Sequence, residues 1–335
     1  MKKSLVAILL MISMLTVAAL SGCASTTPAA TPAPAASEAP APAPSAAVPA
    51  EATPEAPVDA PAAANVVYDA AYDYFNSFPS DSNVIKPDAL FALMDAEEDM
   101  LILDIRRAED YAAGHLKGAV NLSFFTTAIS DSLEKLPDDK PIMVYCYTGQ
   151  TASQTTALLN IAGKMAKNIQ SGFNNGISKV EGFEAYLETE ENLLPDEGYP
   201  VDAEIKAALG AYYADKMAMD GTPFANFNLA PDTVKTIVDE QNDEYYILSI
   251  RRADDYAAGH VAGAANIPYG QGMQEALVTL PTDKKIVVYC YSGQTSSQTT
   301  AVLRLLGYDA YSMSGGMGSE GGSGWLGAGY EVVTD

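Results

Sequence analysis

The feature that most constrains the fold of this chain is an internal repeat. The segment ILDIRRAEDYAAGHLKGAVN at 102–121 recurs as ILSIRRADDYAAGHVAGAAN at 247–266. Each copy is followed by an apolar run that ends in a cysteine, and these residues, Cys146 and Cys290, lie 144 positions apart. A repeat of this length that occurs twice predicts two domains of one fold rather than a solenoid of short units.

The N-terminus has the pattern of an export signal. Two lysines precede a mostly apolar run from Leu5 to Leu20, which is short for a membrane-spanning helix. The tetrapeptide Leu-Ser-Gly-Cys that ends at Cys23 resembles the lipobox of bacterial lipoproteins. The resemblance implies a signal peptide over 1–22, acylation of Cys23, and a lipid anchor that places the protein on the extracytoplasmic face of the cell membrane, periplasmic or cell-surface. An ordinary cleaved signal is the alternative.

Residues 23–64 consist almost entirely of Ala, Pro, Ser, Thr and Glu. This segment lacks the apolar surface that offsets the entropy of ordering a chain. Recurrent proline also prevents a long helix and favours an extended backbone. We therefore predict a disordered Ala/Pro-rich linker between the membrane and the folded part of the protein.

Composition narrows the classes of partner. The chain has 19 Lys and Arg against 43 Asp and Glu, a formal net charge of −24. Such an acidic protein is not expected to bind nucleic acid or an anionic membrane surface. There is no CxxC motif or Cys/His cluster in the sequence, so neither a metal site nor a cofactor is predicted.

The remaining sequence predicts two α/β domains, at 65–205 and 206–335. In each, an aromatic-rich helical stretch is followed by a Pro-Asp pair that is typical of a helix start. Two apolar, β-branched runs then predict buried parallel strands. We expect each domain to be a mostly parallel sheet flanked by helices. The strands are predicted at 100–105 and 142–145 in the first domain and at 245–250 and 286–289 in the second, and the helices that follow the cysteines at 153–161 and 297–306.

Cys146 and Cys290 are the candidate catalytic residues. Each follows a predicted buried strand and precedes a helix, at the edge of the sheet where α/β proteins bind ligands. Loop amides and the helix N-terminus favour a thiolate, which is the nucleophilic form of cysteine. A small buried cysteine that only fills space is the alternative. The predicted substrate-binding loops comprise Tyr147, Thr148, Gly149, Gln150 and Thr151 in the first domain, and Tyr291, Ser292, Gly293, Gln294 and Thr295 in the second.

The combined motifs resemble the rhodanese (sulfurtransferase) family. The resemblance rests on Asp104-x-Arg106, Ala-Gly-His115, Gly-Ala-Val-Asn121 and Cys146-x-x-Gly149, and their counterparts in the second repeat. It implies that both cysteines accept a sulfane sulfur as a persulfide and pass it to a thiol or another nucleophile. Small sulfur-containing donors and thiol acceptors are thus the expected partners, and the chemistry is covalent catalysis by an activated thiolate.

Charged residues near the cysteines suggest further roles. Arg106 and Arg251 are possible substrate contacts, although we expect them to pair with Asp110 and Asp255 in a helical turn. His115 and His260 are expected to be structural residues rather than catalytic bases.

The chain also departs from the family pattern. Rhodaneses often carry an arginine where this chain has Thr151 and Thr295, so we expect thiosulfate, an anion, to be a poor donor. The two threonine hydroxyls can donate hydrogen bonds inside the loop that surrounds each sulfur. In the second repeat, Ser249 replaces the acidic residue found at Asp104, which would alter that site if Asp104 supports the loop.

Three functions are compatible with the sequence. The leading hypothesis is a membrane-tethered extracytoplasmic sulfurtransferase with two active domains. A binding or scaffold module without turnover is an alternative, but intact cysteines in both copies argue against it. A thiol redox protein is another, although no resolving cysteine lies near either site in sequence. Because each repeat has its own strand, loop and helix, each pocket is expected to be complete without residues from the other.

Overall fold

A computed structural model of the chain describes residues 65–76 and 78–334. The predicted signal peptide, Cys23 and the Ala/Pro-rich linker lie outside the described residues. Within the described ranges, no helix is long and apolar enough to cross a bilayer.

The first domain alternates helices and strands. Its helices are α1 (Val66–Asp73), α2 (Pro87–Asp95), α3 (Ala108–Ala113), α4 (Ala128–Asp131), α5 (Gln150–Ile161) and α6 (Gly172–Asn175). Its strands are β1 (Val84–Ile85), β2 (Leu101–Asp104), β3 (His115–Leu116), β4 (Ala119–Asn121), β5 (Pro141–Tyr145), β6 (Met165–Ile169) and β7 (Leu187–Glu188). Short 3₁₀ turns occur at Leu133–Lys135, Ile177–Lys179 and Phe183–Tyr186.

The second domain repeats this order. Its helices are α7 (Ala203–Ala218), α8 (Pro231–Asp239), α9 (Ala253–Ala258), α10 (Gln274–Leu277), α11 (Gln294–Leu305) and α12 (Gly324–Gly327). Its strands are β8 (Asn228–Leu229), β9 (Tyr245–Ser249), β10 (Ala265–Asn266), β11 (Lys285–Tyr289) and β12 (Ala310–Met313), and a 3₁₀ turn lies at Ala225–Phe227. The predicted limit between the two domains, at 205/206, falls inside α7. The limits of both domains stay predictions.

Each domain is built on a five-stranded parallel sheet. The strand order is β1-β6-β5-β2-β4 in the first domain and, read from the other edge, β8-β12-β11-β9-β10 in the second. The two orders are equivalent, so the repeat in sequence is a repeat in topology. The α/β prediction, with two mostly parallel sheets flanked by helices, is confirmed.

Local sequence explains the central elements. Strands β2 and β5 are apolar along almost their whole length because both faces of a parallel sheet are covered by helices. Pro87 and Pro231 occupy the first turns of α2 and α8, where a missing N–H costs nothing, as the Pro-Asp pairs predict. The helices after the cysteines begin at Gln150 and Gln294, three residues earlier than predicted.

The two domains share one interface, at which α5 packs against α11. The segment around α1 contacts the second domain: Tyr74 Oη donates to Gln298 Oε1 at 2.8 Å, and the ring of Phe75 packs against that of Tyr269. In the opposite sense, α7 contacts the first domain, where Tyr212 Oη donates to Gln154 Oε1 at 2.9 Å. Helix α1 therefore packs against α11 of the second domain, and α7 packs against α1 and α4 and reaches α5 through the side chain of Tyr212.

Candidate active site

Both cysteines lie at the strand-to-helix junction that the sequence predicts. Cys146 follows β5, and its Sγ accepts hydrogen bonds from the amides of Gly149 at 3.1 Å and Ala152 at 3.4 Å. Cys290 follows β11, and its Sγ accepts from the amide of Gly293 at 3.1 Å. Each thiol is free and only 2% exposed. Backbone donors at a helix N-terminus stabilise negative charge, so each sulfur lies where a negatively charged group on it would be stabilised.

Glycine makes the loop geometry possible. Gly149 and Gly293 have φ angles of +89° and +84°, in the left-handed region that other residues adopt at a cost. This conformation turns the amide at each glycine towards the sulfur three residues earlier. The loop of residues 146–151, hereafter loop 1, and the loop of residues 290–295, hereafter loop 2, therefore have the same shape.

A second glycine supports each loop from behind. Gly172 has a φ of +62°, and a Cβ there would lie 2.6 Å from Cys146 O and 2.7 Å from Gly149 N. Gly316 has a φ of +60° and would place a Cβ 2.6 Å from Cys290 O. We name the turn at 171–173 turn 1 and the turn at 315–317 turn 2. The two glycines are 144 residues apart, the same offset as the cysteines, and that offset is the signal in the sequence that could have identified Gly172.

Backbone hydrogen bonds fasten each turn to its loop. Phe173 N donates to Cys146 O at 2.7 Å, and Asn174 N donates to Tyr147 O at 2.8 Å. Met317 N and Gly318 N make the corresponding bonds to Cys290 O and Tyr291 O, at 2.7 and 2.8 Å. Turn 1, which follows β6, therefore fixes the position of Cys146, and turn 2, which follows β12, fixes the position of Cys290.

The arginines do not pair as the sequence predicts. Arg106 binds Asp104, not Asp110, with its Nη2 2.7 Å from Oδ2 and its Nε 3.1 Å from each carboxylate oxygen. The expected pairing is wrong because Arg106 precedes α3, so the side-chain spacing of a helix does not apply to it. Arg106 also donates to Gly114 O at 2.8 Å and is 4% exposed, so its guanidinium is already occupied.

Arg251 lies at the equivalent position of the second domain, and its expected pairing with Asp255 is also wrong. Its Nη2 donates to Gly259 O, while its buried Nε has no hydrogen-bond partner. Ser249 offers only a hydroxyl that accepts from the Arg251 amide at 3.4 Å. The substitution at this position therefore alters how the arginine is held, and neither arginine presents a free guanidinium to a substrate.

Asp110 and Asp255 instead bind the tyrosines that follow the cysteines. Tyr147 Oη donates to Asp110 Oδ2, and Tyr291 Oη donates to Asp255 Oδ2. Each tyrosine oxygen also accepts a hydrogen bond from a backbone amide. Arg107 N donates to Tyr147 Oη at 3.1 Å, and Arg252 N donates to Tyr291 Oη at 3.2 Å. These bonds fold Tyr147 and Tyr291 over one side of the two loops.

The other loop residues divide into two groups. Thr148 and Ser292 are exposed, whereas Thr151 and Thr295 are half-buried and donate to neither sulfur. Gln150 and Gln294 reach out of their own domains, and each contacts the opposite one. Each cysteine loop therefore has a neighbouring glutamine from the opposite domain, a contact that the expectation of two self-contained pockets did not include.

The histidines have structural roles, as predicted. His115 is fully buried, with Nδ1 2.8 Å from Tyr111 O and Nε2 2.9 Å from Glu190 O, and its ring stacks on Tyr111. His260 is 5% exposed, lies 3.0 Å from Tyr256 O and stacks on Tyr256 in the same way. In the described ranges, no group of three or more His, Cys, Asp or Glu side chains could hold a metal ion.

The surroundings of the two loops differ in charge. Beside Tyr147, a cavity of about 100 Å³ is lined in part by Arg107, Phe125 and Lys216. Burial lowers the pKa of Lys216 to about 8, and its Nζ donates to Phe124 O at 2.6 Å. In the second domain the corresponding arginine, Arg252, is paired with Asp255 at 2.8 Å. Two cations and one carboxylate, that of Asp220, therefore line a cavity near loop 1 but outside the cysteine loop itself.

Comparison with known proteins agrees with this geometry. The model of the rhodanese-like domain family matches residues 86–183 and 230–319, more than half of the chain. The chain is 31% identical over 105 residues to the thiosulfate sulfurtransferase GlpE of Pseudomonas entomophila, covering 31% of this chain and 84% of that protein. It is 30% identical over 93 residues to GlpE of Pseudomonas fluorescens, covering 28% of this chain and 75% of that protein.

Among solved structures, SseA from Escherichia coli, described with the 3-mercaptopyruvate sulfotransferases, is 19% identical. The match covers 70% of this chain and 98% of SseA, with a TM-score of 0.33. The family match in two segments, together with the duplicated sheet and cysteine loop, shows that this chain belongs to the rhodanese-like domain family and contains two such domains in tandem.

Proposed function

We propose that this protein is a sulfurtransferase that carries sulfane sulfur as a persulfide on Cys146 and Cys290. One observation carries the proposal: each Sγ, at a strand-to-helix junction, accepts a hydrogen bond from a loop amide at 3.1 Å. Donors arranged in this way stabilise the thiolate and then the negative charge of a bound persulfide. The sulfurtransferase relatives support the same assignment.

The chemistry has two displacement steps. In the first, the cysteine thiolate attacks the outer sulfur of a donor persulfide, R–S–SH. A Cys–S–SH bond forms, the donor S–S bond breaks, and the donor leaves as the thiolate R–S⁻. In the second, an acceptor thiolate attacks the outer sulfur, takes it as R′–S–SH and returns the cysteine to the thiolate form. No electrons are exchanged with an external oxidant, and no cofactor is required.

The absence of a basic residue from both loops supports neutral or thiol-based donors such as organic persulfides or polysulfide. Thr151 and Thr295 carry no charge to hold the sulfonate oxygens of thiosulfate. Because the relatives are named thiosulfate sulfurtransferases, the rate with thiosulfate is the reference to which the rate with an organic persulfide should be compared.

We also propose that the protein is tethered to the extracytoplasmic face of the membrane. The support is the lipobox-like sequence that ends at Cys23, followed by forty-one residues rich in alanine and proline before the first described residue. An extended linker of this composition would hold both domains away from the bilayer, where small donors and acceptors reach them.

Intact-mass spectrometry after incubation with an organic persulfide tests the sulfurtransferase proposal. The expected result is an adduct of one sulfur atom at each cysteine, which an acceptor thiol then removes. A protein that binds partners without gaining sulfur would be a scaffold module. A Cys146–Cys290 disulfide formed in place of the adducts would indicate a thiol redox protein.

A further inference from the structure

Two glutamines connect the cysteine loops across the domain interface. Gln294 of loop 2 accepts hydrogen bonds at its Oε1 from Ser171 N at 2.9 Å and Asn168 Nδ2 at 2.8 Å. Gln150 of loop 1 accepts at its Oε1 from Gly315 N at 3.1 Å. Ser171 begins turn 1 and Gly315 begins turn 2. Each glutamine therefore binds the turn that supports the cysteine loop of the other domain.

The connection from Gln294 to Cys146 consists almost entirely of backbone. Ser171 N is fixed by the glutamine, and two residues later Phe173 N donates to Cys146 O at 2.7 Å. Gly172 between them has no room for a Cβ against loop 1. A displacement of turn 1 is thus transmitted to the peptide of Cys146 without an intervening flexible side chain.

Each glutamine also touches the opposite loop directly. A Cβ on Gly149 would lie 2.7 Å from Gln294 Oε1, and a Cβ on Gly293 would lie 2.5 Å from Gln150 Nε2. The amides of these two glycines are the donors to Cys146 Sγ and Cys290 Sγ. The side chain of each glutamine therefore packs against the residue that holds the sulfur in the other domain.

We propose that Gln294 is a positioning residue for Cys146 and that Gln150 is a positioning residue for Cys290, so that each sulfur site is completed by the other domain. The proposal deepens the proposed function, on which its persulfide readout rests. Because Gln294 is 5% exposed and accepts two hydrogen bonds, whereas Gln150 is half-buried and accepts one, the effect is larger at Cys146.

Removing the Gln294 acceptor leaves the Ser171 amide and the Asn168 side chain without a partner inside the protein. Buried polar groups without partners are costly, so turn 1 would shift to find others. Small displacements of a nucleophile lower reaction rates by large factors. We expect Gln294→Leu to slow reactions at Cys146 by about ten-fold.

The test uses the full chain in a Cys290→Ser background, so that only Cys146 reacts. Two rates are measured for Gln294→Leu: alkylation of Cys146 by iodoacetamide, and single-turnover persulfide formation from an organic persulfide. The alkylation rate does not depend on the proposed function, so failure of that function is distinguishable from failure of this proposal. Both rates should fall about ten-fold, while the KM for the donor is unchanged. The Gln294→Glu variant keeps an acceptor oxygen and should restore both rates.

Gln298→Leu is the matched control. Gln298 lies one turn later on α11, is buried in the same interface and donates to Ser82 O at 3.0 Å, but it does not contact turn 1. It should leave both rates at Cys146 within about two-fold of the parent. If Gln294→Leu fails to fold by circular dichroism, Gln294→Asn replaces it, because the shorter side chain withdraws the same oxygen.

The reciprocal experiment examines Gln150→Leu in a Cys146→Ser background, with a smaller decrease expected at Cys290. An unchanged alkylation rate at Cys146 in folded Gln294→Leu would overturn the proposal. So would an equal decrease with Gln298→Leu, because the effect would then belong to the interface in general.

Discussion

Asp104 binds Arg106 through both of its carboxylate oxygens, with Arg106 Nη2 2.7 Å from Oδ2 and Nε 3.1 Å from Oδ1. Both side chains are buried, at 0% and 4% exposure. In the second domain, Arg251 stands at the position of Arg106 and Ser249 at that of Asp104, and Arg251 Nε has no hydrogen-bond partner. The two domains are therefore alike in backbone but differ in how one buried charge is neutralised.

This difference predicts opposite effects for reciprocal substitutions. Asp104→Ser leaves a buried guanidinium without its counter-charge and should lower the free energy of unfolding by about 3 kcal/mol. Ser249→Asp gives Arg251 Nε a partner and should raise it by about 1 kcal/mol. Urea unfolding measures both, with Ser249→Asn as an uncharged control. A destabilised Ser249→Asp protein would contradict this account.

Each cysteine should support turnover alone. Each has its own loop amides, so we expect Cys146→Ser and Cys290→Ser to retain part of the sulfur transfer and the double variant to retain none. The first domain should contribute more, because Asp104 is present there. Steady-state transfer from an organic persulfide to a thiol provides the measurement. Loss of all turnover in either single variant would show that the two sulfurs act as a pair.

Thiosulfate should be a poor donor for the wild-type protein compared with an organic persulfide. In a Cys290→Ser background, Thr151→Arg should lower the KM for thiosulfate by about ten-fold, because a guanidinium binds sulfonate oxygens with two hydrogen bonds. Thr151→Gln, which is long but uncharged, should not. A low KM for thiosulfate in the wild type would instead point to the cations beside Tyr147, and Arg107→Ala would then raise that KM.

Stability should depend on pH through Lys216. Burial lowers the pKa of Lys216 to about 8 from 10.5, an effect that nearby Asp220 partly offsets and Arg107 reinforces. Below pH 8 both the folded and the unfolded chain carry the proton. Between these pKa values the unfolded chain binds more protons, so stability rises with pH. From pH 7.5 to 9.5 the wild type should gain on the order of 1–2 kcal/mol relative to Lys216→Met.

Lys206→Met is the control for this experiment. Lys206 lies on the same helix, but its side chain is 40% exposed. It should not change the slope of stability against pH. The comparison ends below pH 10. Burial raises the pKa of Tyr74 and Tyr213, so above that pH the tyrosines of the unfolded chain lose protons that the folded chain keeps. This ionisation lowers the stability as the pH rises, which opposes the effect of Lys216. Parallel curves for wild type and Lys216→Met would contradict the prediction.

Cys23→Ala should separate anchoring from catalysis. If Cys23 is acylated, the variant is expected either in the soluble fraction or retained with its signal uncleaved, while sulfur transfer by the folded domains is unchanged. Membrane fractionation and mass spectrometry of the N-terminal peptide measure this, with Cys146→Ser as a control that remains anchored. Recovery of the wild type entirely without lipid would exclude the tether.

The sequence predicts the parts of the site that depend on neighbouring residues. Apolar β-branched runs indicated the buried strands, and the repeated Cys-x-x-Gly indicated the loop between strand and helix. The partner of Arg106 could not be obtained in this way, because side-chain spacing predicts pairs only within a helix and Arg106 lies before one.

Contacts between the two repeats were beyond prediction for a different reason. Gln150 and Gln294 stand in the cysteine loops, so local reasoning assigned them to the substrate. Only the packing of α5 against α11 turns their side chains to the opposite domain. The pairing of Tyr74 with Gln298 joins residues 224 positions apart and leaves no trace in the local pattern.

The contacts of α1 and α7 across the interface should make each repeat depend on the other. An isolated first repeat would keep α1 but lose the surface on which it packs, and the buried polar residues of α5, Gln154 and Thr155, would lose Tyr212 and Tyr213 as partners. Neither repeat could be deleted, expressed alone or exchanged for a single-domain relative without exposing that surface. The chain must also bring Gln294 to Ser171 and Gln150 to Gly315, which lie 123 and 165 positions apart, before either cysteine loop has its full support. Folding should therefore be slow for a protein of this size. We therefore expect the two repeats to unfold together rather than one at a time.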